Sequence, residues 1–358
     1  MEEKRQKIYW FVPILILVII AVAFFYEWDW GAKLNPEQTA TDVVELAQIV
    51  NSQIDQGKDK GSFYISGISE DELNNINDYV CSINGTVDRY VIATRVGDKQ
   101  KVTFYYEISD NYYVMEKYLN QKEIPEGKPQ AYKLYEKTEE ILGEIIKPGM
   151  TDYEKELAIH DYIVSHCKYG QKDESKEYSF RAYGCLVQGV AVCNGYAEAM
   201  SLLLTCAGVD NEIMTGSAGD ELHAWNIVCL DGEWYQVDVT WNDPIPDGAH
   251  VVSHAYFNIT DEEMAESHTW NEDLYVSCDG EKYNYFDYNQ LVFDYPSLEQ
   301  YVINESTKNI TANLQIAVTD YSEQTYTYDF INNIPGVLSL EHVVWPIGDR
   351  EIISINLN

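Results

Sequence analysis

The spacing of apolar positions changes several times along the 358 residues, and each change predicts an element. An uncharged apolar run over residues 8–25 is just long enough to cross a bilayer core as one helix. Val43, Val44, Leu46, Ala47 and Val50 then recur at helical spacing after Asn35-Pro36. The runs Tyr90-Val91-Ile92-Ala93 and Val102-Thr103-Phe104-Tyr105-Tyr106 predict strands around a helix over 70–81. A helical hairpin follows. Its first helix, 132–146, is broken by Lys147-Pro148-Gly149, and the capping box Thr151-Asp152-Tyr153-Glu154 starts a second that runs to about His166. Ala197, Met200, Leu204 and Ala207 share a helical stripe that Gly208 closes. His223-Ala224-Trp225-Asn226-Ile227-Val228-Cys229 alternates as a strand, Asp231-Gly232 is a two-residue turn signal, and 234–241 returns. Residues 280–358 are polar and read as β-rich. The chain thus divides into an N-terminal segment (1–30), a small α+β domain (31–130), a central domain (131–275) and a β-rich C-terminal domain (276–358).

Charge settles how the first segment is read. Lys4, Arg5 and Lys7 precede the apolar run and should stay in the cytoplasm, placing the bulk of the chain outside the cell membrane. Ala21-Val22-Ala23 also has the form of a signal-peptide cleavage site. Phe24, Phe25 and Tyr26 continue the apolar run past it, which favours an uncleaved single-pass anchor. The formal net charge is -35, and a surface so acidic repels nucleic acid phosphates and anionic headgroups. The 46% hydrophobic and 13% aromatic content supports cored domains and excludes a disordered chain. The seven cysteines form no C-x-x-C and no dense framework, and an odd count leaves at least one thiol unpaired. His250 and His254 stand four apart, but Pro244, Pro246 and Gly248 place them after a loop without further ligands, so no metal site is expected. Asn84, Asn258, Asn304 and Asn309 sit in N-x-S/T form.

The candidate chemistry lies between residues 183 and 270. Cys193, in Val192-Cys193-Asn194-Gly195-Tyr196, sits at or just before the first turn of the apolar-striped helix. Unpaired N–H groups and the helix dipole favour a thiolate there, although the place also suits an inert core cysteine. If the Asp231-Gly232 turn pairs Leu230 with Glu233, His223 lies opposite Thr240 and Asp238 is its diagonal neighbour on the same face. A carboxylate beside an imidazole is the orienter and base that a nucleophile needs. His160 and Asp161 are adjacent on a helix and point about 100° apart, so His160 is expected to serve packing or a hydrogen bond.

Taken with Gly232-Glu233-Trp234-Tyr235-Gln236-Val237-Asp238-Val239-Thr240-Trp241, Asp243-Pro244, Tyr256-Phe257, His268-x-Trp270 and the lead-in 150–156, the order Cys193, His223, Asp238 resembles bacterial proteins with a transglutaminase-like domain. The resemblance covers roughly 131–275. It implies an α+β papain-like core, with the cysteine on a helix and the histidine and aspartate on adjacent strands. It further implies cofactor-free thiol acyl chemistry on amide carbonyls of a protein or peptide substrate, here in the cell envelope. Gln188 is a candidate oxyanion donor, and Trp225, sharing the face of His223, a candidate cleft wall. Tyr196 and Trp241 read as packing; His268 could approach the site after a loop, but core or surface roles are expected for it. The competing function is a catalytically silent binding or assembly module on the same scaffold.

Overall fold

The computed structural model describes residues 39–78, 80, 84–96, 99–170, 176–243, 252–308, 313–322, 324, 326–334 and 340–357. The first of its sheets has the order β1-β2-β4-β3, built from β1 (Thr39–Ala40), β2 (Lys60–Ile65), β3 (Gly85–Val96) and β4 (Lys99–Ile108). Helix α1 (Val43–Asp55) starts where the Asp42 carboxylate accepts the Glu45 N–H at 2.8 Å, and its Leu46, Val50 and Ile54 meet Phe63, Val102 and Phe104 in one cluster. The helix predicted over 70–81 is only α2 (Glu70–Asn74), followed by a 3₁₀ turn, Ile76–Asp78. Asparagines 74, 75 and 77 compete with the helix for hydrogen bonds. Asn77 exchanges two, both 2.9 Å, with the backbone of Val87 in β3.

Four helices build the central layer: α3 (Asp110–Asn120), α4 (Pro129–Ile145), α5 (Asp152–His166) and α6 (Cys193–Ala207). The capping box of Thr151 and Glu154 forms as read. Val114 and Met115 of α3 pack into the same cluster as Leu134, Ile159 and the α6 leucines. Tyr196, Met200 and Leu202 to Leu204 of α6 are fully buried, each contributing about 2 kcal/mol through the apolar surface removed from water. The helix packs on an antiparallel sheet of order β10-β9-β8-β7-β11. Its strands are β7 (Asn211–Ala218), β8 (Glu221–Leu230), β9 (Glu233–Val237), β10 (Phe257–Ile259) and β11 (His268–Trp270). Leu230 pairs with Glu233 across a turn in which Asp231 and Gly232 both have positive φ, 53° and 87°. The ladder ends at the Asn226–Val237 pair, so Thr240 is not paired with His223; residue 223 faces Gly216 of β7 instead. A two-residue parallel bridge, β5 (Lys168–Tyr169) with β6 (Val190–Ala191), ties down the chain entering α6.

The C-terminal sheet, β12 (Val292–Phe293), β13 (Asn313–Val318), β15 (Arg350–Leu357) and β14 (Leu340–Ile347), follows the short helices α7 (Asp261–Met264) and α8 (Tyr285–Tyr288). It carries a helix that the polar sequence concealed, α9 (Tyr295–Lys308), whose buried side is only Leu298, Val302 and Ser306. Ala317, Ile347 and Ile352 of this sheet share a cluster with Trp225, Ile227 and Met264 of the central unit. The apolar run at residues 8–25 lies outside the described residues; among those described, no helix is long and apolar enough to cross a membrane.

Candidate active site

Cys193 is the first residue of α6, after Val192 at the N-cap with φ −101° and ψ 178° and no side-chain cap. In the first turn the Gly195 N–H already donates to the Val192 carbonyl at 2.9 Å, which leaves those of Cys193 and Asn194 at this end. The helix start is clamped against the preceding loop. A Cβ on Gly195 would lie 2.6 Å from the Ser179 carbonyl oxygen and 2.8 Å from the Ala191 Cβ, so only glycine allows this approach. Asn194 Nδ2 donates to the Phe180 carbonyl at 2.6 Å. One turn on, the buried Glu198 accepts from the Ala182 N–H at 3.0 Å and from Arg181 and Asn111 at 3.1 Å each. These bonds fix the nucleophile's backbone against residues 180–182.

On the sheet side His223 Nε2 lies 2.7 Å from Asp238 Oδ2. The Cys193 thiol lies close enough to the imidazole to act on its pKa, and with Nε2 committed to the carboxylate, Nδ1 is the nitrogen left for it. Burial alone would lower the His223 pKa, but the charge and hydrogen bond of Asp238, then those of Cys193, push it up to about 10. Asp238 is completely buried. Burial works to raise its pKa; His223 and His268 outweigh this and hold it well below the usual carboxylate range. Asp238 Oδ1 accepts the backbone N–H groups of Thr240 at 2.9 Å and Trp241 at 3.0 Å. Asp238 lies one residue beyond β9, and its own N–H donates to the Tyr256 carbonyl at 2.9 Å.

The structure thus brings Cys193, His223 and Asp238 together in the expected order. It differs on the surrounding residues. Trp225 is 1% exposed, so it backs the His223 ring (centroids 5.8 Å apart) instead of walling a cleft, and its Nε1–H is spent on Gln236 Oε1 at 2.6 Å. Trp241 is an open aromatic at the site, 39% exposed, with its ring 6.2 Å from His223 and 4.5 Å from His268. Tyr196 is packing as read, its hydroxyl donating to Asp243. Gln188 is half-buried at the end of the π-helical turn Gly184–Gln188 that leads into β6. His268 enters the site itself: its Nε2 lies 3.1 Å from Asp238 Oδ2. The signal for this was the His268-x-Trp270 pair, but no local pattern said which carboxylate the imidazole would meet.

His160, Asp161 and His254 form a second cluster whose ligand atoms lie within 4.8 Å of one another; His250 lies outside the described residues. Its hydrogen bonds do not fit a metal. Asn242 Oδ1 accepts the Tyr256 N–H, so its Nδ2 donates to His160 Nε2 at 3.0 Å. His160 must then carry its proton on Nδ1, which donates to Asp161 Oδ1 at 2.9 Å and is not available as a ligand. Burial lowers the His160 pKa, consistent with a neutral ring. His254 Nε2 completes the cluster at 2.9 Å from the same oxygen.

With this geometry in hand, the chain was compared with known proteins. The transglutaminase-like superfamily model matches residues 139–239, which include all three residues of the arrangement. The chain is similar to kyphoscoliosis peptidase of Homo sapiens (28% identical over 123 residues) and of Mus musculus (27% over 122), in each case over 30% of this chain. The matched stretch spans only 19% and 18% of those relatives' lengths. Among solved structures, a TGase aligns at 10% identity over 53% of each chain with a TM-score of 0.27, too low to bear on the assignment.

Proposed function

We propose that this chain, whose central domain is a transglutaminase-like α+β unit of the cysteine protease and transglutaminase type, is a cysteine-dependent acyl hydrolase with Cys193, His223 and Asp238 as its triad. The observation that carries the reading is the 2.7 Å bond of imidazole to buried carboxylate with the Cys193 thiol close beside the same imidazole, supplied by a helix start, a strand and the turn after the next strand. Thiolate attack by Cys193 on an amide carbonyl forms a tetrahedral oxyanion at the α6 N-terminus, where backbone N–H groups and, as a further candidate, Gln188 would stabilise it. His223 gives its proton to the departing amine, leaving a thioester on Cys193. Water then attacks, His223 takes its proton, and the thiolate leaves as the acid is released. Asp238 holds the imidazole in line and favours its charged form.

Hydrolysis is favoured over amine transfer because water needs no second binding site, and the curated relatives carry the name peptidase. The substrate is a peptide or glutamine amide of the cell envelope, reached by a chain anchored through residues 8–25 with its bulk outside. The test offers purified protein a glutamine-bearing peptide and a labelled primary amine together, beside Cys193→Ala. Free acid should exceed labelled product, and Cys193→Ala should abolish both while melting like wild type. Labelled product in excess at millimolar amine would make the protein a transferase. A wild-type Cys193 that forms neither product, and is slow toward electrophiles at pH 6, would make it a silent module.

A further inference from the structure

Asp238 has a second imidazole on the oxygen that His223 uses. An ionised carboxylate offers about four lone-pair directions. On Oδ1, two are taken by the Thr240 and Trp241 N–H groups; on Oδ2, His268 Nε2 at 3.1 Å takes a third, and His223 has the fourth. The proton positions follow. Asp238 only accepts, so Nε2 of His268 carries hydrogen, and Nδ1 accepts from the Ser267 hydroxyl at 2.8 Å. The ring is buried, with Trp241, Trp225 and Tyr256 at 4.5, 5.1 and 5.8 Å between centroids. It sits on β11, whose residues 268–270 pair with β7 beside His223, and a Cβ on Gly216 would strike the Thr269 carbonyl oxygen at 2.1 Å.

We infer that His268 is a positioning residue for the proposed reaction: with the two backbone N–H groups it fixes the plane of the Asp238 carboxylate, leaving one direction open, the one that aims His223 at Cys193. Resting on the triad reading, this adds a fourth side chain to the machinery. A buried histidine serving packing alone would have no reason to share Oδ2 with His223. The other titratable groups that feel Asp238 are Tyr169, Tyr256 and His160, and none of them is hydrogen-bonded to its carboxylate.

The experiment measures alkylation of Cys193 by iodoacetamide from pH 4 to 9, with the site assigned by mass spectrometry, in the full chain and in His268→Phe and His268→Gln. Phenylalanine keeps a ring between the tryptophans and removes the N–H; glutamine restores a donor. We expect His268→Phe to react about tenfold more slowly near neutrality, the worth of one hydrogen bond to a charged group. Its acid limb should move to higher pH, because Asp238 has lost a donor that resists its protonation, and His268→Gln should recover most of both. A wild-type rate and profile in His268→Phe, or a loss shared by both variants without a shifted limb, would overturn the inference. If His268→Phe does not fold, His268→Met decides, since it fills the apolar space without a donor: a slower rate with the limb shifted to higher pH supports the inference, and a wild-type rate and limb refute it. Failure of the triad reading looks different, because wild type itself would then show only the alkaline rise of an ordinary thiol.

Discussion

Glu156 on α5 has no exposed surface, and only one of its oxygens is satisfied: Oε2 accepts from Asn258 Nδ2 at 3.0 Å. Glu156 Oε1 and Asn258 Oδ1 are both buried acceptors without a donor. A proton on Oε1 resolves both shortages, since it turns one of the two atoms into a donor. Burial, opposed by the weaker pull of Asn258, raises the Glu156 pKa from 4.5 to about 8. The folded state therefore holds this proton more tightly than the unfolded chain does. The associated stability is fully present below pH 4.5 and declines as pH rises, until above about 8 both states have lost the proton. The linkage integral between pH 5 and 8 is on the order of a few kcal/mol of wild-type stability. Glu156→Gln keeps an amide in the same place, with a donor for Asn258 Oδ1, and does not titrate. Denaturant unfolding of both proteins at pH 5, 6.5 and 8 should show the variant gaining on wild type by about 2–4 kcal/mol across that span. A difference that stays flat to within about 1 kcal/mol would mean that Glu156 is ionised in the fold, and would refute the reasoning.

Two further outcomes follow from the site and the sequence. Asp238→Ala removes the larger of the two effects that oppose the burial of His223, so its pKa falls; acyl transfer should drop on the order of 10³-fold, less than in Cys193→Ala, with rates measured side by side. For the proposed topology, external protease on intact cells should digest the bulk of the chain, and protection until lysis would reverse the orientation.

The placing of Cys193, His223 and Asp238 on a helix start and one hairpin was legible in part, because it rests on local signals. Asp231-Gly232 carries a two-residue turn whose positive φ values set the β8–β9 register, and Gly208 closes α6 in the left-handed region (φ 76°). What sequence could not supply is partner choice between distant segments. Trp225 and Trp241 are the same residue type on the same hairpin, yet one is core and the other open. The difference arises because the chain leaves the ladder after Val237 and turns, which alternation along a strand cannot foresee. His268 stands 30 residues from the carboxylate it meets, and α9 was hidden because its buried stripe is short within a polar segment.

The turn after Val237 also explains why α5 belongs to the site without touching the nucleophile. Between β9 and β10 the chain runs outside the ladder, and its described residues need anchors other than strand pairing. Helix α5 supplies them from residues four and five apart, on neighbouring faces of one helix. His160 meets Asn242 and Asp161 meets His254 within this segment, and Glu156 meets Asn258 just past it, in β10. The C-terminal sheet adds a fourth anchor, Gln315 of β13, whose Oε1 accepts the His254 N–H at 3.0 Å while its Nε2 donates to the Val252 carbonyl. Asn242 in turn donates its N–H to the Asp238 carbonyl and accepts the Tyr256 N–H on its Oδ1, while the Asp238 N–H donates to the Tyr256 carbonyl. His160, expected from the sequence to serve packing or a hydrogen bond, does so together with Asp161 through Asn242 and His254. They hold the irregular segment on which Asp238 rides, so the aim of the triad rests on a helix and a C-terminal sheet that contribute no atom to the proposed reaction.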